Sequence, residues 1–326
     1  MVYCFEAART VADLKDNLGV NMMKPTTVKR RAFALFLAVV GSACLLPADS
    51  AYRQSVQEWR QEYQKTLTSD NGWLTVSGLF WLKEGENRFG SGSANDIVLP
   101  FSAPISAGVL TFHDGKSTVR VNPGIEATLN GKPVQTVELR PDLTEDRLIL
   151  GDLTLYVHAS GNRLALRVRD KNSSLRKNFT GLNWFPIDEA YAVTGTFVPY
   201  ASPKDLDSVN ILGDPIKLKI WGYVQFSLKG QGYRLEAGEQ SSGKKFFIVF
   251  RDLTSGKETY PASRFLDVEP PTGATGGGTV QIDFNKAYNP PCAYNPYTTC
   301  PLPLPGNRMK IEIPAGEKLY KRDHGM

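Results

Sequence analysis

The segment IDFNKAYNPPCAYNPYTTCPLPLPGNR, residues 282–308, decides how the second half of this chain can fold. Its prolines fix the backbone φ angle and lack an N–H donor, so they favour extended and turn conformations over a helix or a regular sheet. A long loop with this much built-in rigidity is usually ordered for a purpose. We therefore expect these residues, called the Pro/Cys segment below, to close a β structure formed by the strands around them.

Short runs of alternating apolar and polar residues predict a β region over residues 161–326, which ends with this segment. In the first run, Leu164, Leu166 and Val168 alternate with polar residues, as in a half-buried strand. The polar stretch 202–214 predicts a loop, and the glycine-rich stretch 270–278 predicts a flexible connector. We expect a β barrel or sandwich with strands near residues 163–169, 216–220, 223–228, 233–235, 245–250, 264–268 and 279–284.

Residues 73–160 contain a separate set of short strands divided by turn signals. Asp114-Gly115 and Asn130-Gly131 predict tight hairpins, because both pairs tolerate positive φ angles. The predicted fold class of the whole chain is therefore mostly β. The strands of this first region are expected near residues 73–82, 95–99, 108–112, 117–121, 133–139, 147–150 and 153–157.

One amphipathic helix is predicted over residues 51–72. Tyr52, Val56, Trp59 and Tyr63 follow one another at intervals of four, three and four residues, within a segment rich in Gln, Glu and Arg. This spacing places the four side chains in one apolar stripe. We expect the stripe to pack on the body of the protein.

Residues 22–50 have the layout of an export signal. Basic residues at 29–31 precede a short apolar run at 32–40, and small residues follow at 41–43. The run is shorter than the ~20 residues that a membrane span needs, which favours a removed signal peptide over a retained anchor. Residues 1–21 are then an upstream extension, and the true start is Met22 or Met23.

Two kinds of processing fit this leader. Cleavage just before Ala51 would release a periplasmic or secreted protein. Alternatively, Gly41-Ser42-Ala43-Cys44 resembles a bacterial lipobox with Cys44 as the lipidated residue, although Gly41 stands where Leu or Val is usual. In both cases the membrane is contacted only through the signal peptide or a lipid anchor.

The charge of the chain gives no indication of a nucleic-acid partner. The formal net charge is +5, from 38 Lys and Arg against 33 Asp and Glu. Part of the excess lies in the leader, so the rest of the chain is near neutral. A nucleic-acid partner therefore gains no support.

The first β region resembles a forkhead-associated (FHA) β-sandwich. Residues 84–90, EGENRFG, followed by 95–99, NDIVL, look like its opening hairpin, and Asn130-Gly131 and LGDL at 150–153 look like later landmarks. The phosphopeptide-binding residues do not carry over. Ser91 stands where that family has an Arg, and no Ser-x-x-His follows. The resemblance implies the sandwich without its phosphothreonine site, since an anion site loses a charge-assisted hydrogen bond with its Arg.

A second resemblance covers nearly all of residues 59–318. It rests on GWLTVSGLFWLKEGENRFGS (72–91), RVRDKNS (167–173), FRDLTSGKETYPASRFLDVEPP (250–271), the Pro/Cys segment and IPAGEK (313–318). These stretches resemble a bacterial family known as domain of unknown function 1684. The resemblance implies membership of that family and no established activity.

Cys292 and Cys300 allow four interpretations. The first is a disulfide, which suits an exported chain and would stabilise it by roughly 2–3 kcal/mol. The others are two inert buried thiols, a reactive Cys292 nucleophile and a metal site. A nucleophile needs a lowered pKa and a partner base, and no His is close in sequence. Cys-x7-Cys is not a usual zinc spacing, so no metal is expected.

A group of polar residues forms the candidate ligand site. Arginine–carboxylate pairs that pin loops would explain them. Alternatively, Arg251 and Arg264 grip an anionic or polar ligand at the mouth of the second region. Asp283 and Asn285 would then share one face of a strand, since residues i and i+2 point the same way. The full set is Arg169, Asp170, Arg251, Asp252, Tyr260, Arg264, Asp283, Asn285, Asn289 and Asn307.

Three function classes remain open. The sequence contains no Gly-x-Ser-x-Gly, His-Glu-x-x-His, Walker loop or helix-opening GxGxxG. His113, His158 and His324 are too few for an expected triad or three-His site, and no cofactor is expected. The first choice is a periplasmic or envelope-associated module that binds a small molecule or an envelope component. The alternatives are a small-molecule hydrolase using Asp283 or Cys292, and a purely structural interaction domain.

Overall fold

A computed structural model of the chain describes residues 48–142, 146–239, 245–271 and 277–320. The predicted extension 1–21, the leader up to residue 47 with Cys44, and His324 lie outside these residues. Within the described part, no helix has the length and apolarity that crossing a membrane would require.

The N-terminal helix α1 (Ala48–Thr68) carries the predicted stripe. Val56 is buried, and the three aromatic residues of the stripe, Tyr52, Trp59 and Tyr63, are half-buried. Leu67, one turn further along the helix, is buried as well. The helix includes residues 48–50, which the sequence had placed in the leader. It ends before the predicted residue 72, because a turn follows in which the Gly72 N–H donates to the Ser69 carbonyl at 2.9 Å.

The first β region is a sandwich of two sheets. One sheet has the order β1-β11-β10-β9-β6-β7 and the other β3-β2-β4-β5-β8. The strands are β1 (Val76–Trp81), β2 (Gly85–Gly90), β3 (Ile97–Val98), β4 (Gly108–His113), β5 (Lys116–Val121), β6 (Thr128–Leu129), β7 (Lys132–Pro133), β8 (Thr136–Glu138), β9 (Leu148–Leu150), β10 (Leu153–Ser160) and β11 (Arg163–Asp170).

One apolar core lies between these two sheets. Leu110 and Val119 from one sheet pack with Leu155 and Leu166 from the other. The two predicted hairpins are confirmed: Asp114 and Gly115 have φ angles of 48° and 76°, and Asn130 has 52°. The sandwich expected for the first half is therefore present.

The boundary between the regions differs from the prediction. Strand β11 pairs along its whole length with β10, from Ser160↔Arg163 to Leu153↔Asp170. It therefore belongs to the first sandwich, and the division falls after residue 170 instead of residue 160.

The second region is a single antiparallel sheet with the order β16-β15-β14-β13-β12-β17. A short helix, α2 (Ser174–Lys177), precedes it. The strands are β12 (Ala192–Val209), β13 (Pro215–Leu228), β14 (Gln231–Glu239), β15 (Phe246–Phe250), β16 (Arg264–Val268) and β17 (Gly278–Asp283). The predicted loop 202–214 is wrong over its first part, because β12 continues to Val209 and pairs with β13.

This sheet curves around its own core, so that β16 and β17 lie near each other without pairing. Phe226, Phe250 and Phe284 pack inside it, and Met309 and Ile313 cover the core from the C-terminal side. The mostly β architecture with one long N-terminal helix is thus confirmed.

The Pro/Cys segment leaves the sheet at the end of β17 and then makes only short turns. Three 3-10 turns occur within it, at Phe284–Lys286, Pro291–Ala293 and Pro305–Asn307. Single β bridges join Tyr288 to Phe265 and Pro301 to Asn210. The predicted extended and turned conformation is therefore confirmed.

Candidate functional site

Arg264, the residue expected to grip a ligand, lies in the protein interior and is 0% exposed. Its Nη1 donates to Asp252 Oδ2 at 2.7 Å and to the Ile313 carbonyl at 3.0 Å, and its Nη2 donates to the Ala315 carbonyl. Burial lowers the pKa of Arg264, and the Asp252 charge opposes that effect. The pair holds residues 313–315 against β16, which matches the loop-pinning interpretation.

Asp283 and Asn285 come together as predicted, but their shared partner is a side chain of helix α1. The Tyr52 hydroxyl donates to Asp283 Oδ1 at 2.9 Å and accepts from Asn285 Nδ2 at 2.9 Å. Burial first, and then the charge of Asp283, raises the pKa of Tyr52. The two residues therefore attach the helix to the second region.

Their geometry also differs from the expected strand alternation. Strand β17 ends at Asp283, and Asn285 lies in the 3-10 turn that follows. The Asp283 carboxylate caps this turn by accepting from the Asn285 N–H at 3.1 Å.

A second contact of helix α1 is a buried network around Glu317, which the sequence analysis missed. Glu317 accepts from the Tyr294 hydroxyl at 2.7 Å and from the Asn289 N–H at 2.8 Å. Tyr63 of the helix lies 3.2 Å from the Tyr294 hydroxyl. Burial raises the pKa of Glu317 to about 7. The only sequence signal was a lone Glu in the otherwise weakly polar IPAGEK.

The other predicted ligand residues are spread over the fold. Arg169 lies on β11, where its Nη1 donates to the Gly72 carbonyl at 2.6 Å. Asp170 caps a turn by accepting from the Asn172 N–H at 2.7 Å. Tyr260 donates to the Cys292 carbonyl at 3.2 Å, and Arg251 is exposed. These residues do not form one pocket with Arg264.

Cys292 and Cys300 are separate buried thiols in the structure, and the expected disulfide is not formed in it. The two residues are in contact, since the Cys292 N–H donates to Cys300 Sγ at 3.2 Å. Burial raises the pKa of Cys300, as does its neighbour Cys292. Among the described residues, no three His, Cys, Asp or Glu side chains are grouped closely enough to hold a metal ion.

Asn307 is a predicted site residue that lines a cavity. Among the described residues, strands β14 and β15 pair at Gly238↔Phe247 and Glu239↔Phe246 and nowhere else. Beyond that point the Asn307 side chain lies between them: it accepts from the Glu236 N–H at 2.7 Å and donates to the Val249 carbonyl at 2.9 Å. The amide thus replaces a missing pair of ladder hydrogen bonds and holds the strands apart.

A cavity of about 210 Å³ opens where these strands diverge. Its apolar lining comes from Ile220, Phe247, Val249 and Leu304, and its polar lining from Lys217, Lys219, Glu236 and Asn307. Lys217 pairs with Asp207 at 2.7 Å, and Glu236 pairs with Arg234 at 2.8 Å. The second lysine, Lys219, lies 5.7 Å from the Trp221 ring centre. We call this cavity the strand-gap pocket.

The fold and this pocket define a two-part β protein with a small cavity in its second sheet. Residues 177–318 match the family described as "Protein of unknown function (DUF1684)". An uncharacterised protein of Haloarcula marismortui, solved by NMR, is 30% identical to this chain, with 46% of this chain and 81% of that chain covered and a TM-score of 0.38. The chain belongs to the DUF1684 family.

Two FHA structures are also similar to part of this chain. The FhaA FHA domain, solved in complex with an intracellular domain, is 22% identical over 27% of this chain and 84% of its own, with a TM-score of 0.20. A second, from work on phosphothreonine-dependent FHA interactions, is 20% identical over 28% of this chain and 92% of its own, with a TM-score of 0.21. No curated protein matches the chain.

Proposed function

We propose that this protein is an exported binding module that takes a small amphiphilic anion into the strand-gap pocket. The supporting observation is the pocket itself, which is lined by Ile220, Phe247 and Val249 and also by Lys219. An apolar cleft with a few placed polar groups is the usual form of a small-molecule site. The apolar part of a ligand would lie on the apolar side chains and its carboxylate or phosphate near Lys219.

The volume limits the ligand. Typical small-molecule pockets measure ~300–1,000 Å³, whereas this one holds about 210 Å³. The ligand is therefore small, or only the end of a larger molecule enters. Glu236, the carboxylate in the pocket lining, is already bound by Arg234 and Tyr200, and Lys217 is paired with Asp207. Lys219 is therefore the group that we expect to select for an anion.

The hydrolase alternative is not favoured. Asp283 is bound by the Tyr52 hydroxyl and lies 3.5 Å from Lys286 Nζ, so it caps a turn and holds a helix. Cys292 is 6% exposed. Neither residue lines the strand-gap pocket.

A matched set of six-carbon probes tests the proposal by calorimetry. Hexanoate, hexanol and hexylammonium share one apolar chain and differ in charge. Hexanoate is expected to bind most tightly and hexylammonium least, and Lys219→Gln should weaken hexanoate by roughly tenfold. Lys245→Gln is the control, because Lys245 is a partly exposed lysine that pairs with Glu269. Equal binding of hexanoate and hexylammonium would refute the proposal.

Export rests on the leader pattern of residues 22–50 and is part of the same proposal. The expected product begins at Ala51, or at a lipidated Cys44. N-terminal sequencing of the mature protein, with palmitate labelling of wild type and Cys44→Ser, distinguishes the two. A mature chain that keeps residues 22–50 would contradict export by either route.

A further inference from the structure

Three arginines surround one tyrosine on the outer face of the first sandwich. Tyr156 on β10 is paired across the sheet with Arg167 on β11. The guanidinium carbons of Arg147, Arg167 and Arg169 lie 3.6, 6.0 and 5.9 Å from the Tyr156 ring centre. Stacking on an aromatic face is favourable for a cation, but it leaves the in-plane N–H groups to be satisfied elsewhere.

The in-plane groups of two of these arginines are not satisfied by the described residues. Arg147 Nη1 and Arg167 Nε are both buried and have no hydrogen-bond partner in that part of the chain. Arg167 is only 4% exposed. A buried charged donor without a partner is costly, so such groups are rare in folded proteins. Arg169 differs, because it donates to the carbonyls of Asn71 and Gly72.

The Pro/Cys segment covers this face and adds a hydroxyl to the cluster. Thr299 Oγ1 accepts from Arg167 Nη2 at 3.3 Å and lies 2.7 Å from His158 Nε2. The other ring nitrogen, His158 Nδ1, lies 2.7 Å from Asp142 Oδ1. Burial alone would raise the pKa of Asp142, but its hydrogen bond to His158 and the charges of His158 and Arg167 lower it.

The charges in the cluster do not balance. Asp142 is a carboxylate that faces the cluster, and it is already bound to His158. Burial lowers the pKa of Arg147, and the charge of Asp142 opposes this effect. The neighbouring Asp146 also interacts with Arg147, but Asp146 is paired with Arg140 and Asp142 with His158. Among the described residues, both carboxylates near the two guanidinium groups are therefore already bound to other basic side chains. An added anion would supply both the missing charge and the missing acceptors.

We propose that Arg147 and Arg167 bind a phosphate-type oxyanion beside Thr299, where the Pro/Cys segment meets the first sandwich. Arg147 is half-buried, so the cluster is reached from its side. Donors from β11 and from the residue before β9 approach from different elements, which suits a tetrahedral group better than a planar carboxylate. The site lies on the first sandwich, whereas the strand-gap pocket is built from the second sheet.

Calorimetric titration of the full chain with inorganic phosphate, at constant ionic strength against chloride, tests this site. Arg147→Gln and Arg167→Gln should each weaken phosphate binding by about tenfold or more. The matched control is Arg163→Gln, because Arg163 lies on the same strand and already pairs with Asp214 at 2.5 Å. Its loss removes one charge from the same sheet and should change phosphate binding less than about twofold.

The outcomes are distinct. No saturable heat with phosphate, or equal weakening in Arg163→Gln and Arg147→Gln, would overturn the site. Arg167 is buried, so the Arg167→Gln variant could unfold. In that case the Arg147→Gln variant tests the site alone, since Arg147 makes no hydrogen bond through its buried Nη1 to the described residues. Glycerol 3-phosphate is titrated in parallel. Tighter binding than phosphate identifies the ligand as a phosphomonoester, and weaker binding identifies it as the free ion.

Discussion

Protonation of Glu317 is expected to control how the stability of this protein depends on pH. The carboxyl group is 1% exposed, and burial raises its pKa from 4.5 to about 7. A group whose pKa is higher in the folded than in the unfolded protein binds more protons when folded. Its contribution is therefore complete below about pH 4.5 and is lost as the pH rises through about 7.

The magnitude follows from these two pKa values. At about 1.4 kcal/mol for each pH unit, the difference corresponds to a loss of about 3 kcal/mol in the free energy of unfolding. Tyr294 donates to Glu317 at 2.7 Å and lies 3.2 Å from the Tyr63 hydroxyl, and Tyr63 donates to the Asn289 carbonyl at 3.3 Å. Ionisation of Glu317 places a negative charge at the end of this buried chain of hydroxyl groups.

Glu317→Gln is the perturbation that isolates this effect. The amide keeps an oxygen to accept from the Asn289 N–H and has no titrating proton. Urea unfolding, followed by tryptophan fluorescence, is measured at about pH 5, 6, 7 and 8. Wild type should lose about 2.5 kcal/mol relative to Glu317→Gln across this range, because part of the full loss has already occurred by pH 5. Histidine titrations are common to both proteins and cancel in the difference.

The control is Glu312→Gln, which changes an exposed carboxylate paired with Lys257 at 3.4 Å. This variant should follow the wild-type pH dependence. Parallel stability curves for wild type and Glu317→Gln would refute a raised pKa at Glu317. Loss of the pH dependence in Glu312→Gln would refute the assignment to the buried network.

Three further perturbations test the structural roles of predicted site residues. Tyr52→Phe removes the hydroxyl that fixes helix α1, so it should lower the free energy of unfolding by about 1–2 kcal/mol and make the helix more susceptible to proteolysis. The control is Gln57→Ala at an exposed position of the same helix, which should change neither quantity. Asp252→Asn leaves the buried Arg264 charge without its counter-ion, so urea unfolding should show a loss of about 3–5 kcal/mol, and a loss below about 1 kcal/mol would contradict the pairing. In the reduced native protein, iodoacetamide should alkylate Cys300 at least ~100-fold more slowly than in urea, because burial raises its pKa and blocks access; equal rates by peptide mass analysis would contradict its burial.

Local signals predicted the elements of the fold better than their partners. Asp114-Gly115 specified a hairpin because few other pairs reach two positive φ angles. The alternation in β11 identified a strand, but a period of two does not say which strand lies beside it. The polarity of residues 202–209 predicts a loop, whereas the structure has a strand there with mostly exposed side chains. A hairpin that extends beyond the core shows no apolar alternation.

The candidate site was limited by the same missing information. Arg264 has the residue type of an anion-binding group, but only the fold shows that residues 313–315 and Asp252 surround it. Arg167 alternates with apolar residues along β11, and this pattern predicts that its side chain lies on the solvent-exposed face of the strand. The Pro/Cys segment covers that face through Thr299, and the contact between two parts of the chain 132 residues apart leaves no local pattern.

The composition of the Pro/Cys segment has a single physical explanation. Its prolines cannot donate to a sheet ladder, so the carbonyl groups of neighbouring elements need other donors. Asparagine supplies them, because its amide carries both a donor and an acceptor, whereas aspartate at neutral pH only accepts. The side chains of Asn285, Asn289, Asn295 and Asn307 are all buried and donate to the carbonyls of Asp188, Lys318, Trp73, Glu236 and Val249.

These bonds join the segment to Asp188 near helix α1, to Lys318 near the C-terminus, to Trp73 before β1, and to β14 and β15 of the second sheet. The asparagines that first indicated a ligand site are thus the connections that let a chain without ladder bonds close the fold. A ligand site in this protein is then expected where that scheme leaves groups unsatisfied. Asn289 Oδ1 and the nitrogens Arg147 Nη1 and Arg167 Nε all meet this condition among the described residues. The two nitrogens are charged and lie around one ring, Tyr156, which is why the arginine cluster carries a stronger expectation of binding than the asparagines do.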